Sequence, residues 1–189
     1  MIYSPNAVYQ SALEKSKTTR LFVRHEIIPT RNDILWRIEK GIVRNLTSTE
    51  NGTLITLGYW SSGDLVGYPL SSVKPYQIQC LTNVEISVLP PQLWHQDIDA
   101  FVSHIQEVEK LLTIVHTKPI SLRLWQFLVW LSKKFGRDVE QGKLIEFYTT
   151  HQEIAEVLNM SRVTVTRTLQ QFEAEGILFR HKRRLILKL

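Results

Sequence analysis

Two arginines in the C-terminal part of the chain, Arg162 and Arg167, lie in the segment SRVTVTRTL, whose pattern predicts a helix. A guanidinium group forms paired hydrogen bonds with O6 and N7 of guanine, so arginines on an exposed helix face suit the DNA major groove. Val163 lies one turn before Arg167, where an apolar side chain can contact a thymine methyl group. With Thr166, these residues form our candidate base-reading set. The alternative, a structural helical hairpin with incidental arginines, does not explain an exposed valine among polar residues.

The preceding residues predict a first helix that supports this one. Thr150 and Glu153 have the spacing of a capping box, which places the start of the helix at His151. Its buried face consists of Ile154, Ala155 and Leu158. The small side chain of Ala155 allows a second helix to cross closely at that point.

A short turn and a second cap connect the two helices. Asn159 tolerates the left-handed conformation that a tight turn requires. Ser161 is suited to cap the second helix, and Gly176 to end it. The inward-facing residues of the second helix are Val165, Leu169 and Phe172. This spacing predicts a DNA-reading helix-turn-helix over residues 150–174.

The last residues, ILFRHKRRLILKL, alternate as two strands around a turn at His181-Lys182-Arg183, as in the wing of a winged helix. Five of the chain's 23 Lys and Arg fall within residues 178–189, and the other 18 balance its 18 Asp and Glu. A basic patch at one end favours a phosphate-binding surface over a solvated tail. The candidate phosphate contacts are Thr150, His151, Gln152, Ser161, Thr164, His181, Lys182 and Arg183.

The sequence pattern of residues 20–90 differs from that of the C-terminal part and predicts short strands. These are LFVRHEI, DILWRI, GIVRNLTS, TLITLGYW, YQIQCL and VEISVLP. Glu50-Asn51-Gly52 between two alternating runs is a strong hairpin signal. Many short strands at this spacing predict a β-barrel or sandwich.

Residues 92–135 change to a helical period, with a first apolar stripe of Phe101, Ile105, Val108, Leu111, Leu112 and Val115. Pro119 predicts a break near Thr117-Lys118. The second stripe is Ile120, Leu124, Phe127, Leu128 and Leu131. The first stripe is expected to pack against a partner helix in a homodimer, or alternatively against its own barrel. A polar break, GRDVEQG, follows at residues 136–142.

Several classes of protein are disfavoured by composition. A single cysteine, Cys80, excludes an intramolecular disulfide and a four-cysteine iron–sulfur site within one chain. The N-terminus lacks the pattern of a signal peptide, and no apolar stretch approaches the length of a membrane span, so we expect a cytoplasmic protein. The six histidines show no paired metal spacing, and His25 is interpreted as a surface or strand residue. No motif supports an enzyme.

Region by region, residues 30–189 resemble the Crp/Fnr family of bacterial regulators. The matching segments are KGIVRNL, ENGTLITLGYW, GDLVG, RLWQFLVWLSKKFG and THQEIAEVLNMSRVTVTRTL, of which the last is most similar to the cyanobacterial nitrogen-control regulators. The resemblance implies an α+β fold with three parts. They are an N-terminal cyclic-nucleotide-binding-type β-barrel (jelly roll; residues 1–96), a long dimerisation helix (97–135) and a C-terminal winged helix-turn-helix (136–189). It also implies a homodimer on palindromic double-stranded DNA, with RNA polymerase as a further partner.

The residues that bind small ligands in the family are only partly matched in this chain. Family members that bind cyclic AMP have a Glu after the GDL-x-G turn and a later Arg-Ser, whereas this chain continues as Gly67-Tyr68-Pro69 and Val73-Lys74-Pro75-Tyr76. We therefore expect no cyclic AMP. The single cysteine and the interpretation of His25 as a surface or strand residue lead us to expect no iron–sulfur cluster and no haem. Nitrogen-control regulators bind 2-oxoglutarate through two arginines, whose places Lys74 and Lys118 roughly occupy. This makes Gly67, Tyr68, Lys74 and Lys118 candidates for a small anionic effector, with solvated lysines as the alternative.

The resemblance also bears on the preferred DNA site. Well-known family members have Glu where this chain has Val163, and glutamate accepts a hydrogen bond from cytosine whereas valine meets only apolar groups. We therefore expect GTA-type half-sites rather than TGTGA-type half-sites. The functional alternative to a transcription regulator is an architectural or protein-docking module that uses its winged helix to bind a partner protein.

Overall fold

The computed structural model describes residues 19–189. The N-terminal segment, which we predict not to be a signal peptide, lies outside the described residues. The chain divides into two compact units, one ending at Val108 and one running from Glu109 to Leu189. Within the described range, we find no helix with the length and apolar character needed to cross a membrane.

Among residues 19–108, the N-terminal unit contains eight short strands. They are β1 (Thr19–Phe22), β2 (Ile27–Ile28), β3 (Leu35–Lys40), β4 (Ile42–Ser48), β5 (Leu54–Ser61), β6 (Leu65–Val66), β7 (Gln77–Cys80) and β8 (Val84–Leu89). They form two antiparallel four-stranded sheets with the orders β1-β8-β3-β6 and β2-β7-β4-β5. This confirms the predicted all-β N-terminal architecture.

The core of this unit lies between the two sheets, because its buried side chains come from both. Trp36 and Ile86 belong to one sheet, and Trp60 and Ile78 to the other. The predicted hairpin between β4 and β5 is confirmed, with Gly52 at φ 77° in its turn. Removing these apolar side chains from water is the main driving force for closing the two sheets on each other.

One predicted strand is wrong in its extent. LFVRHEI is not continuous, because β1 ends at Phe22 and β2 begins at Ile27. Between them His25 has φ 75°, a left-handed conformation that ends regular pairing, and its N–H donates to the Cys80 carbonyl at 2.8 Å. Strand β6 was not predicted, because two residues are too few to show a period.

A 3-10 helix at Pro91–Gln96 leads into α1 (Ile98–His116), which begins in the first unit and ends in the second. Its first turns pack on the sandwich through Phe101, and the His104 ring stacks on Trp60 with centroids 3.9 Å apart. The alternative of packing against its own barrel therefore holds for this side. The other face leaves apolar side chains exposed, namely Ile98, Val102, Ile105, Val108 and Leu112.

The predicted break at Pro119 is confirmed. α1 ends at His116, and Pro119 is the N-cap of α2 (Ile120–Phe135). Of the predicted stripe in α2, Leu124, Phe127, Leu128 and Leu131 are buried. Ile120 is 44% exposed and is not part of that buried face, because it lies in the first turn beside the break.

The rest of the C-terminal unit consists of a hairpin, two helices and a second hairpin. Its elements are β9 (Gly136–Val139), β10 (Gly142–Ile145), α3 (His151–Leu158), α4 (Arg162–Ala174), β11 (Leu178–His181) and β12 (Arg184–Leu187). The strands form one sheet in the order β11-β12-β10-β9.

The polar break predicted at residues 136–142 is in fact the β9–β10 hairpin. Its polar side chains face solvent, so no hydrophobic period marks it in the sequence. Gly142 has φ 137°, and a Cβ there would lie 2.1 Å from the Leu187 carbonyl oxygen of β12. This glycine allows the hairpin to approach the wing strands closely enough to form a single sheet.

Candidate nucleic-acid interface

The first helix of the pair, α3, begins where the sequence predicts it. The Thr150 hydroxyl accepts from the Glu153 N–H at 3.0 Å, and the Glu153 carboxylate accepts from the Thr150 N–H at 2.7 Å. This reciprocal pair is the predicted capping box. The buried face of α3 contains the three predicted residues and also Val157.

The turn and the second cap are confirmed as well. Asn159 has φ 49° and ψ 56°, the left-handed conformation that reverses the chain between α3 and α4. The Ser161 hydroxyl accepts from the Thr164 N–H at 3.0 Å. Val165, Leu169 and Phe172 are buried, and the Phe172 ring also meets Trp125 of α2 edge-on, with centroids 5.4 Å apart. Because this face of α4 is packed against the rest of the unit, the opposite face of the helix points to solvent.

The candidate base-reading residues lie on the outward side of α4. Arg162 and Arg167 are exposed, and neither guanidinium makes a hydrogen bond or ion pair with residues 19–189. Val163 is 59% exposed, as predicted for an apolar contact. Thr166 differs from these three, because its hydroxyl donates to the Arg162 carbonyl at 2.9 Å and lies 2.8 Å from Nδ1 of His151. Its role in base reading stays a prediction.

The candidate phosphate contacts fall in two groups. Thr150, His151, Gln152, Ser161 and Thr164 lie at the N-terminal ends of α3 and α4. Helix N-termini carry unpaired N–H groups and a partial positive charge that favour phosphate binding. The second group, His181, Lys182 and Arg183, forms the exposed tip of the β11–β12 hairpin.

That hairpin is the predicted wing, and its tip is unusual. Lys182 and Arg183 both have positive φ, at 45° and 70°. Two-residue hairpin turns with this geometry normally use Asn and Gly, because a left-handed backbone costs other residues about 1–2 kcal/mol each. Two long basic side chains therefore occupy positions that conformational energy disfavours, and their role in holding phosphate stays a prediction.

Replacing this tip should separate binding from stability. Lys182→Asn together with Arg183→Gly is expected to stabilise the protein by about 1 kcal/mol or more by relieving the left-handed strain. The same variant should bind all DNA sequences more weakly and show a smaller salt dependence, because two phosphate-neutralising charges are lost. Urea unfolding and anisotropy titrations at several salt concentrations measure both effects. Lys182→Ala is the control, since it removes charge without relieving strain; a tip variant that binds like the original protein would contradict the assignment.

A network that the sequence did not reveal joins the wing to both helices. Arg180 of β11 pairs through Nε with the Glu173 carboxylate of α4. Its two terminal nitrogens each lie 3.4 Å from Nε2 of His151, the first residue of α3. Burial, followed by the charges of Arg180 and Arg162, lowers the pKa of His151 below its ordinary value, against the opposing charge of Glu173. The signal in the sequence was the alternating pattern of the wing, which places Arg180 on a strand but does not identify its partners.

Arg123 of α2 is a second contact that sequence reasoning missed. Its Nε donates to the Thr117 carbonyl at 3.0 Å, and its Nη1 donates to the Leu158 carbonyl at 2.8 Å. Leu158 ends α3, where carbonyl groups lack partners within their own helix. One arginine thus ties the break between α1 and α2 to the C-terminal end of α3.

The candidate effector residues are placed separately in the two units. Gly67, at φ 153°, brings its backbone close to the Ile34 carbonyl, and the Tyr68 ring meets Tyr76 edge-on with centroids 6.1 Å apart. Lys74 is exposed in the loop before β7. Lys118 is exposed between α1 and α2.

The remaining candidates for chemistry have ordinary structural explanations. Burial, with a smaller effect from Glu26, raises the pKa of the Cys80 thiol to about 11, so it is protonated at neutral pH. Burial also raises the pKa of Tyr76 to about 12. In the part of the chain that the structure describes, no group of three His, Cys, Asp or Glu side chains is placed to hold a metal ion.

The sequence and the fold match known proteins over both units. Residues 122–189 match the sequence model of the Crp-like helix-turn-helix domain. Regulatory protein CysR of Synechococcus elongatus is 37% identical over 172 residues, 89% of this chain and 82% of that protein. A Global nitrogen regulator of the same species is 26% identical over 168 residues, 80% of this chain and 75% of that protein. A CRP-family transcriptional regulator from Thermus thermophilus has a TM-score of 0.77 at 24% identity, over 89% of this chain and 91% of that one.

Proposed function

This chain belongs to the Crp/Fnr family of transcription regulators, and we propose that it binds a palindromic promoter site as a homodimer. Each protomer inserts its α4 into one major groove, so the two half-sites lie about one helical turn, roughly 34–36 Å, apart. The observation that carries the proposal is the outward face of α4. There Arg162, Val163 and Arg167 are exposed together on a helix whose other face is packed.

The division of labour on DNA follows from the side chains. Arg162 and Arg167 read guanines, Val163 contacts a thymine methyl group, and Thr166 supports the same surface. The ends of α3 and α4 and the basic wing tip hold phosphates, which fix register without reading sequence. These contacts make affinity strongly dependent on salt.

The homodimer is supported by the exposed apolar face of α1. Ile98, Val102, Ile105 and Leu112 recur at steps of four, three and seven, which places them on one side of the helix. Ile105 is 60% exposed and Leu112 is 58% exposed. A contiguous apolar face of this kind is covered in solution, and a second copy of α1 presents the matching surface.

The half-site preference tests the assignment of the reader. Anisotropy titrations of the full-length protein against palindromes with systematically changed half-sites should favour GTA-type over TGTGA-type sequences. The reason is that Val163 cannot accept a hydrogen bond from cytosine. Val163→Glu is the matched variant and should move the preference toward the TGTGA type. Tighter binding of the unaltered protein to TGTGA-type sites would contradict the assignment.

An anionic effector is a further part of the proposal. Lys74 and Lys118 carry the charge for a small dicarboxylate such as 2-oxoglutarate, although lysine lacks the bidentate fork of arginine. Calorimetry with 2-oxoglutarate and other small anions should give saturable heat, and no heat would leave two solvated lysines. As a regulator of this family, the protein acts in the cytoplasm, with RNA polymerase as its partner at the promoter.

A further inference from the structure

A cavity of about 490 Å³ lies between the wing and the start of α3. It is lined by Tyr148, Thr149, His151, Ile154, Arg180, Arg183 and Leu185. Two of these side chains are arginines, and no lining residue is acidic. The cavity opens beside the wing tip and the N-terminal end of α3, where the proposed function places the DNA backbone.

The hydrogen bonds around His151 define its protonation state in the free protein. The Thr166 hydroxyl donates to the Arg162 carbonyl, so it accepts from Nδ1–H of His151 at 2.8 Å. At the other ring nitrogen, both terminal nitrogens of Arg180 approach Nε2 at 3.4 Å. Arginine is only a donor, so Nε2 carries a lone pair rather than a proton. His151 is therefore a neutral imidazole with its proton on Nδ1.

The charges that face His151 come from every element packed against it. α4 contributes Arg162 and Glu173, the wing contributes Arg180 and Arg183, and on α3 itself the Glu153 carboxylate is bound to the Thr150 N–H. Glu173 is the acid on α4, and it is already paired with Arg180. The surroundings are therefore net positive and disfavour a proton on Nε2. A bound anion would reverse that balance.

We propose that this cavity binds one phosphate group of the DNA backbone and that His151 takes up a proton when the phosphate enters. Arg180 becomes an additional phosphate contact, because Glu173 holds its Nε and its terminal nitrogens lie beside Nε2 of His151, which lines the same cavity. A guanidinium presents paired donors that match two phosphate oxygens. Once a phosphate oxygen replaces the cationic neighbour at Nε2, a proton on that nitrogen gains a hydrogen bond and a favourable charge. The proton comes from solvent, and no covalent bond changes.

The linkage between protons and DNA has a definite sign. DNA raises the pKa of His151 above its value in the free protein, so the bound state holds more protons than the free state. Affinity is then lowest above the pKa of the complex and increases as the pH falls through it. It becomes constant below the lowered pKa of the free protein. Between these limits, each half-site contributes up to about a tenfold change in affinity per pH unit.

This inference rests on the proposed function, and the experiment distinguishes the failure of the inference from the failure of the proposed function. Anisotropy titrations with a specific palindrome and a scrambled duplex at fixed salt, from about pH 5.5 to 8.5, cover the range in which histidine titrates. The original protein should bind the palindrome more tightly as the pH falls. His151→Gln should still bind it specifically, because an amide can donate to Thr166, but the pH dependence should be lost. His116→Gln, on the exposed end of α1, should behave like the original protein.

Two further variants test whether the pH dependence of DNA binding comes from His151 and whether Arg180 controls it. His181→Gln removes the histidine at the wing tip, and the pH dependence that it retains is the part assigned to His151. Arg180→Met should raise the pKa of His151 in the free protein, observed by NMR, and reduce the pH dependence of binding. If the palindrome is bound specifically but His151→Gln keeps the full pH dependence, the proton uptake is overturned while the regulator stands. If neither duplex is preferred at any pH, the sequence-specific regulator is overturned; the proton uptake then stands only if both duplexes bind more tightly as the pH falls and His151→Gln loses that dependence.

Discussion

Ile105→Glu combined with Leu112→Glu is expected to produce a monomer and to weaken binding to the full palindrome by about 10²–10⁴-fold. Both side chains lie on the outward apolar face of α1 and are more than half exposed. Two carboxylates there would be buried without partners in a dimer, a cost of several kcal/mol per charge. Without the dimer, each half-site binds independently and the advantage of linking two readers is lost. Analytical ultracentrifugation gives the mass, and anisotropy gives the affinity.

The control for this experiment lies on the same helix. Gln106→Glu adds a negative charge at an exposed position of α1 that is not one of the apolar residues. It should remain dimeric and bind like the original protein. A dimer that persists in the double variant, with full affinity for the palindrome, would show that another surface joins the protomers.

Arg167→Ala is expected to weaken binding to the specific site by about 1–3 kcal/mol per half-site, with much less effect on a scrambled duplex. The guanidinium is exposed on α4 and makes no hydrogen bond or ion pair with the described residues, so its removal leaves no unpaired group in the protein. Stability should therefore change little, within about 0.5 kcal/mol. Arg162→Ala should behave in the same direction.

Arg137→Ala provides the matched control. Arg137 is an exposed arginine of the same unit, on β9, and its Nε lies 3.7 Å from the Glu146 carboxylate. This variant loses the same positive charge at a position outside α4, so the preference for the palindrome over the scrambled duplex should be unchanged. Equal losses for Arg137→Ala and Arg167→Ala would mean that Arg167 contributes only charge. If the winged helix docked a partner protein instead, Arg167→Ala would cost little DNA affinity.

The helix-turn-helix could be predicted closely because its determinants are local. The capping box at Thr150 and Glu153, the left-handed Asn159 and the cap at Ser161 each act within a few residues. The wing was predictable for the same reason, since a two-residue turn separates alternating strands. In α1 the apolar period was visible, but the sequence does not say which side faces the sandwich. Phe101 packs inward there, whereas Ile105 remains exposed.

The features that were missed depend on contacts distant in sequence or on very short elements. The β9 strand carries polar side chains, and the close approach of the hairpin to β12 requires a residue without a Cβ at Gly142, beside the backbone of Leu187. Arg123 finds its partner at Leu158, 35 positions away. The pair of Arg180 and His151 is separated by 29 positions. No periodicity or spacing rule connects such residues, so the network beside the reader emerged only with the fold.

The proposed function is tested most directly by the ratio of affinities for a GTA-type palindrome and for a scrambled duplex of equal length at physiological salt. A sequence-specific regulator should prefer the palindrome by about 10³-fold or more and should resist competitor DNA. Binding should occur with two protomers per duplex, as measured by stoichiometric titration. Equal affinity for the two duplexes, with a salt dependence that accounts for all of the binding, would show that the protein is not a sequence-specific regulator.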